Sequence, residues 1–423
     1  MGLFSRLTAR LRAYLIRHAE RRGMLPSRAR GIVFVAPHPK SSDSGDGFLQ
    51  RVREIDAGFS YLPRWYIRVI HRGKAQVKSY PDGSFFIHLP FWHIPLLLAV
   101  IGLLLHNKIL YIHSIYGCIC GTDTLLQYVP SVFRVFDIHG IVPEELRYCN
   151  ASFHLRFIAF FAEKIAVTRA HCLIAVTKKM INHINKKYKK ENQINIILPI
   201  FNDFNKSESS KTLIDIKSFF DDNALARPGI IYAGGTQHWQ QFPRTLAAIK
   251  KQSELARYFV LTHTPPVLPP DFSEFIESCS HIRMASSLTP SQVAQVYPYF
   301  QYGFLLRETN IVNRVACPTK IIEYLEHGII PIMLSPDLGD FDDLGLQYLS
   351  LDKFEQGKLL SPDEFNQAIQ KNLLLLEKLK DRRKQDFLNL KNLLHAIGTE
   401  SVKRSPFSRQ QFKLCSIHKD ESQ

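Results

Sequence analysis

Acidic residues are in short supply in this 423-residue chain: 38 Asp+Glu face 54 Lys+Arg, a net charge of +16. Such an imbalance attracts anionic partners, whether nucleic acid, lipid headgroups or phosphorylated ligands. The patterns that would favour nucleic acid, an RNP-type run, a zinc finger or a Gly-x-x-Gly clamp, are missing, so no nucleic-acid partner is expected. Cysteines are few: seven (positions 118, 120, 149, 172, 279, 317 and 415), scattered and odd in number. That excludes a disulfide framework and fits reduced thiols in a cytosolic compartment. Cys118 and Cys120 are too close for the usual zinc knuckle and have no partner pair, so no metal site is expected. No apolar run approaches the roughly 20 residues that span a bilayer. The most hydrophobic stretch, 94–105, carries Pro95 in its first turn and reads as a buried helix. Leu3, Phe4, Leu7, Leu11, Tyr14 and Leu15 are interleaved with arginines and form no secretory h-region. Arg6 breaks the myristoylation pattern.

What is present is ordinary globular composition, 45% hydrophobic and 22% charged, in a chain long enough for two domains of roughly 200 residues. Residues 1–30 carry eight arginines (Arg6, Arg10, Arg12, Arg17, Arg21, Arg22, Arg28 and Arg30) and one acid, Glu20. Leu3, Leu7, Leu11, Tyr14, Leu15 and Ala19 recur at helical spacing within 3–22. This predicts a basic amphipathic helix suited to an anionic membrane surface; a helix packed on its own protein is the plainer alternative. A second basic cluster holds Lys186, Lys187, Lys189 and Lys190.

Short β-rich runs at 31–36, 66–70, 85–89, 109–113, 132–136, 172–176 and 194–198 alternate with helical segments at 92–105, 155–170 and 178–189. The order predicts a doubly wound parallel sheet in residues 31–205. Residues 206–228 are polar and read as a linker. A second alternation then fills 229–400: strands near 229–233, 258–262, 281–284, 302–305, 330–334 and 347–350, helices near 242–252, 290–297, 318–327 and 363–395. Residues 401–423 read as a polar tail.

Open α/β sheets bind ligands beyond the carboxyl ends of their strands. The stretch 307–328, RETNIVNRVACPTKIIEYLEHG, follows the strand at 302–305 there. Pro318 suits the opening of a helix whose free N-terminus attracts an anion. Lys320 adds a cation in the same turn. Glu323, one step along the same face, suits acceptance from two adjacent hydroxyls such as those of a ribose. Together they can hold a nucleotide diphosphate; a simple surface pair between Lys320 and Glu323 is the alternative.

These residues resemble the donor-binding signature of glycosyltransferase family 4, with Glu323 to Gly328 followed by Ile329, Ile330 and Pro331. Ile231 to Gly235 resembles the first strand and glycine turn of that family's donor domain, which assigns donor contact to Gly234 and Gly235. Residues 195–202 resemble the end of its acceptor domain, 136–145 (with His139) the inner loop, and 175–180 a later strand–helix turn. The subset closest in spacing serves capsule and cell-surface polysaccharides. The resemblance implies an α/β chain of GT-B type: two Rossmann-like doubly wound domains facing a central cleft. It also implies sugar transfer with retention of configuration, no metal and no cofactor, from a nucleotide-sugar whose base, uridine or guanosine, is open. The acceptor would be a glycan or a lipid-linked molecule at the inner face of the cell membrane.

Two features depart from that family. Val315 stands where a Glu usually contacts the transferred sugar, and Asn313 or Arg307 would take over part of its role. The basic pair after the glycine turn is also absent, with Arg244 the nearest cation. On these grounds catalysis is assigned to His139, Arg307 and Lys320, and donor binding to Gly234, Gly235, Asn313, Pro318 and Glu323. His139, in an Asp-x-His-Gly at a strand end, can hydrogen-bond a sugar hydroxyl or serve as a structural group. The glycine-bearing loop with Ser41, Asp43, Gly45 and Gly47 is assigned to the acceptor side. The rival readings are a nucleotide-sugar epimerase or hydrolase, and a non-catalytic membrane-associated partner.

Overall fold

The computed structural model describes residues 2–25, 29–40, 47–115, 122–190, 193–201, 215–236 and 238–399. The chain divides into two compact units. The first holds residues up to 174, 187–198 and from 383 onward; the second holds 175–186 and 199–382.

In chain order the elements begin α1 (Gly2–Arg21), β1 (Ile32–Val35), α2 (Gly47–Gly58), β2 (Arg64–Ile70), β3 (Gln76–Ser79), β4 (Ser84–Pro90), α3 (Ile94–Asn107) and β5 (Ile109–His113). They continue with α4 (Thr122–Leu126), β6 (Phe133–Ile138), α5 (Val142–Tyr148), α6 (Phe153–Arg169), β7 (Cys172–Ala175), α7 (Lys178–Tyr188) and β8 (Ile194–Ile197). The eight strands form one sheet in the order β3-β4-β2-β1-β5-β6-β7-β8. β1 lies parallel to β2 and β5, β2 to β4, and β5 to β6; only the hairpin β3–β4 is antiparallel among the registered pairs. Central strands such as β1 are buried on both faces, which is why they read as unbroken apolar runs.

The second series is α8 (Asp222–Leu225), β9 (Gly229–Gly234), α9 (Phe242–Lys251), β10 (Arg257–Thr262), α10 (Pro270–Ser278), β11 (Ile282–Ser286), α11 (Pro290–Val296) and β12 (Tyr302–Phe304). It ends with α12 (Ile311–Val315), α13 (Thr319–Glu326), β13 (Ile330–Met333), β14 (Leu349–Ser350), α14 (Leu351–Glu355) and α15 (Pro362–Thr399). Its sheet is wholly parallel in the order β11-β10-β9-β12-β13-β14. Both units are therefore doubly wound α/β, as expected.

Four domain expectations change. The basic helix does not stand apart: Leu15 and Ala19 of α1 are buried, because α1 packs on α3. A Cβ on Gly102 of α3 would lie 2.0 Å from Leu15 O, so glycine there permits the two backbones to meet. Arg12 Nη2 donates to Leu105 O at 2.9 Å, and His18 Nε2 to Pro95 O at 2.9 Å. The apolar stripe predicted for lipid is thus partly covered by the strongly apolar α3, while Leu11 and Tyr14 stay exposed. Second, the described part of the 206–228 linker is packed structure. Ile216, Phe220 and Ala224 are buried, and Phe219 and Phe220 lie 4.9 and 5.6 Å from the Phe259 ring. Third, 229–400 is not one domain. Leu390, Leu393, Leu394 and Ile397 of α15 join the first unit's core with Val52, Ile55 and Phe59 of α2. Fourth, residues 175–186 belong with the second unit, where Asp340 accepts the Lys178 and Lys179 amides at 2.6 and 3.0 Å. The tail 401–423 lies outside the described residues.

No helix among the described residues is long and apolar enough to cross a membrane.

Candidate functional site

In the second sheet the chain runs outward from β9 to β10 and β11, then returns to β12 on the other side of β9. The carboxyl ends of β9 and β12 thus flank a topological switch point, where such sheets leave a crevice for ligands. Gly234 ends β9 and Gly235 follows it; Arg307 lies three residues beyond β12.

Tyr324 of α13 ties this edge together. Its hydroxyl receives the Ala233 amide and donates to Phe304 O, each at 3.3 Å. Gly303 makes room for its ring, which a Cβ there would meet at 2.5 Å. The second turn of α13 is thereby tied to both strand ends. Pro318 is the N-cap of α13, one position before the first turn, and no side chain caps the helix. Its leading amides carry the positive end of the helix dipole.

Arg307 is half-buried, and burial lowers its pKa. Among the described residues it makes no hydrogen bond and no ion pair. Lys320 and Glu323 do pair: Lys320 Nζ lies 2.6 Å from Glu323 Oε2, and the buried Tyr297 hydroxyl donates to the same oxygen at 2.7 Å. Burial, followed by the Glu323 charge, drives the Tyr297 pKa well above its ordinary value, so the hydroxyl keeps its proton. The surface-pair alternative is therefore present, closed by a tyrosine that sequence reasoning did not foresee.

Asn313, assigned to donor binding, and Val315, which stands in place of the usual Glu, are both used inside the protein. Asn313 is buried, and its Nδ2 donates to Glu308 O at 2.9 Å, shaping the turn ahead of α12. Val315 is also buried, and its carbonyl accepts from the Thr177 hydroxyl at 2.6 Å. One amide hydrogen of Asn313 is therefore already engaged inside the protein.

The first unit has its own switch point between β1 and β5. There Asp137, fully buried at the end of β6, accepts from Arg51 Nε and Nη2 at 3.1 and 3.3 Å and from the Tyr111 hydroxyl at 2.8 Å. His113 and His139 each approach the same carboxylate at 3.6 Å and meet each other at 3.3 Å. Against its burial, the Arg51 guanidinium holds Asp137 ionised far below the usual carboxylate range. Burial keeps His113 neutral. Arg51 extends the chain of charge to Glu54 at 3.4 Å, which receives Arg383 Nε of α15 at 3.0 Å. His113 Nε2 and His139 Nδ1 have no hydrogen-bond partner among the described residues.

His113, Asp137 and His139 are also the one trio among the described residues whose ligand atoms could converge on a metal. A cation would there compete with the Arg51 guanidinium for both oxygens of Asp137, so the trio does not fit a metal ion. Sequence reasoning found His139 but not its supports. The Asp in Asp-x-His-Gly was the available signal; Arg51, 86 positions away, offered none. Ser41, Asp43 and Gly45 lie outside the described residues, and Gly47 is the first residue of α2.

No family model matches the chain, and no curated protein matches it. Solved structures do. Sucrose-phosphate synthase from Thermosynechococcus elongatus superposes with a TM-score of 0.56 at 11% identity, covering 87% of this chain and 99% of that one. The Anabaena HepE protein in complex with UDP-glucose gives 0.58 at 10% identity, covering 86% and 99%. An Escherichia coli trehalose-6-phosphate structure bound with UDP-2-fluoro glucose gives 0.56 at 10%, covering 86% and 99%. At these identities the likeness shows the fold, the GT-B class.

Proposed function

We propose that the chain is a glycosyltransferase that moves a sugar from a nucleotide-diphosphate donor to a glycan or lipid-linked acceptor, at the cytoplasmic face of a membrane and in the making of cell-surface polysaccharide. The observation that carries this reading is Arg307: a half-buried guanidinium without an anion among the described residues, following a strand whose end flanks a glycine turn at a switch point, with an uncapped helix N-terminus next in the chain. Holding an unpaired cation out of water is costly, and an anionic ligand offsets that cost. The structures bound with UDP-glucose or its fluoro analogue share this fold, which favours a nucleotide-sugar as that ligand.

In this reading Arg307, the α13 amides and Lys320 face the two phosphates. As the bond between sugar and diphosphate breaks, negative charge grows on the leaving oxygen, and fixed cations stabilise it. Donor entry exchanges the Lys320–Glu323 pair for two new contacts: lysine to phosphate, glutamate to ribose hydroxyls. Asp137, held by Arg51, sets the ring of His139, which this reading gives a catalytic role.

Calorimetry against a panel of UDP- and GDP-sugars tests the proposal. Micromolar binding of at least one, with product formed only when acceptor is added, is expected. Release of free sugar without acceptor would favour hydrolysis, and no binding across the panel would leave a non-catalytic partner.

A further inference from the structure

The first unit carries an apolar face that its own core does not use. Phe153, Phe157 and Phe161 of α6 are spaced at i, i+4 and i+8 and share one side of the helix. All three are exposed, Phe153 at 67% and Phe157 at 54%, and Phe160 is exposed beside them. The rings touch one another, with centroids 6.0 Å apart for Phe153–Phe157 and 4.6 Å for Phe157–Phe161. The opposite side of α6, with Ala159, Ala162, Ala166 and Val167, makes the internal contacts. Single exposed apolar residues need no explanation, but a contiguous aromatic cluster marks an interaction site.

Charge at this face has one sign. Lys164 is exposed on the same side of the helix. The Arg169 guanidinium sits 4.1 Å over the exposed ring of Tyr128, and Lys190 Nζ donates to Thr168 O at 2.5 Å. The neighbouring acids are already engaged. Glu163 is buried and held by Lys187 and the Tyr188 hydroxyl at 2.6 and 2.7 Å; Glu144 also binds Lys187, at 2.8 Å. Burial, with Glu163 and Glu144 nearby, pushes Glu145 up to about 7, so its negative charge is partial at neutral pH.

Topology extends the face. The chain advances in one direction along the sheet from β4 through β5 and β6 to β7, and right-handed crossovers put α3, α4 and α6 on one side of it. The other side is taken by α2 and the end of α15. α1 lies on α3 and exposes Arg10, Arg17, Arg21 and Arg22. Trp92, just before α3, is exposed as well.

We infer that this side of the first unit, anchored by Phe153, Phe157 and Phe161, docks on an anionic lipid bilayer. Phenylalanine rings at helix level with lysine and arginine around them match an interfacial helix. A second copy of the chain would bring the same basic surfaces face to face, whereas anionic headgroups complement them. Residues 1–30 then supply charge, and α6 supplies the apolar anchor. The inference rests on the first unit alone and does not depend on sugar transfer.

Co-sedimentation of the full chain with phosphatidylglycerol-containing vesicles, against pure phosphatidylcholine vesicles, tests it. The parent should bind the anionic vesicles and release them as salt rises. The double variant Phe157→Ser, Phe161→Ser should bind them at least tenfold more weakly, and the charge reversal Lys164→Glu, Arg169→Glu should also weaken binding. These side chains are exposed, so thermal melting should match the parent, and calorimetric donor binding should stay unchanged, which separates this inference from the proposed activity. Parent-like vesicle binding by the phenylalanine variant, or no binding by the parent, overturns it. A parent dimer that the same variant dissociates, without vesicle binding, also overturns it and identifies the face as a contact between copies.

Discussion

The two switch points treat charge in opposite ways. In the first unit Arg51 is fully buried, but it is matched: Asp137 and Glu54 are its counter-ions, and Tyr111 and Arg383 complete their bonding. In the second unit Arg307 is half-buried and has no counter-ion among the described residues, and the Lys320–Glu323 pair of α13 is partly open to solvent. A matched buried network holds shape; an unmatched cation waits for an anion. On the proposed reading, the same fold places a structural centre at one carboxyl edge and an anion-binding centre at the other.

The largest effect that sharpens this contrast is Asp137→Ala. It strands the Arg51 guanidinium in the interior, which costs about 3–5 kcal/mol, and urea unfolding should show the loss. Because the Asp137 pKa is depressed, its contribution is present above the ordinary carboxylate range and disappears as the pH falls into acid. Arg307→Ala should do the reverse: unfolding within about 1 kcal/mol of the parent, since no partner is left behind, but donor binding about tenfold weaker or worse. Equal stability losses in the two variants would erase the distinction between the centres.

Glu145 gives a smaller effect with a definite sign. Its folded pKa is raised to about 7 from an ordinary 4.5, so the folded state favours the protonated carboxyl. The contribution is full below 4.5 and is lost as the pH rises through 7. Glu145→Gln should therefore melt like the parent at pH 4 and be more stable at pH 8, by about 1–2 kcal/mol after allowance for its partial exposure. The same advantage at both pH values would show that ionisation is not the cause.

Much of the fold was legible because it is written in local patterns. The apolar runs of β1, β5 and β9 and the Pro-opened helix α3 need no distant partner to be read. β3 was missed because its four residues are all exposed and show no alternation; it pairs as an antiparallel edge by virtue of its neighbour β4. The helix near 363–395 is expected either to reach back toward the first domain or to cap the second, and its last turns enter the first unit's core; one uninterrupted helix gives no sign of where it changes cores. At the sites, the spacing of Lys320 and Glu323 on one helix face was readable. The Tyr297 hydroxyl between them and the Arg51–Asp137 pair arise from contacts across 26 and 86 residues, which periodicity does not encode.

The smallest expected change in stability is at Lys320, and its comparison with Glu323 is the most informative about chemistry. A partly exposed pair contributes about 0–1 kcal/mol, so Lys320→Ala should fold like the parent, whereas Glu323→Ala also takes the acceptor from the buried Tyr297 hydroxyl and should cost about 1–3 kcal/mol. Their ligand effects should diverge. Lys320→Ala should weaken the free nucleoside diphosphate about tenfold, because a phosphate contact needs no sugar. Glu323→Ala should weaken the ribonucleotide about tenfold but leave a 2′-deoxy analogue, which lacks one of the hydroxyls it would accept, much less affected. A pair that serves only the helix surface predicts a different result: no change in any ligand affinity. Calorimetry with the diphosphate and its deoxy analogue would then return the parent's constant for each ligand in both variants. Donor recognition would rest on Arg307 and the helix amides without the carboxylate.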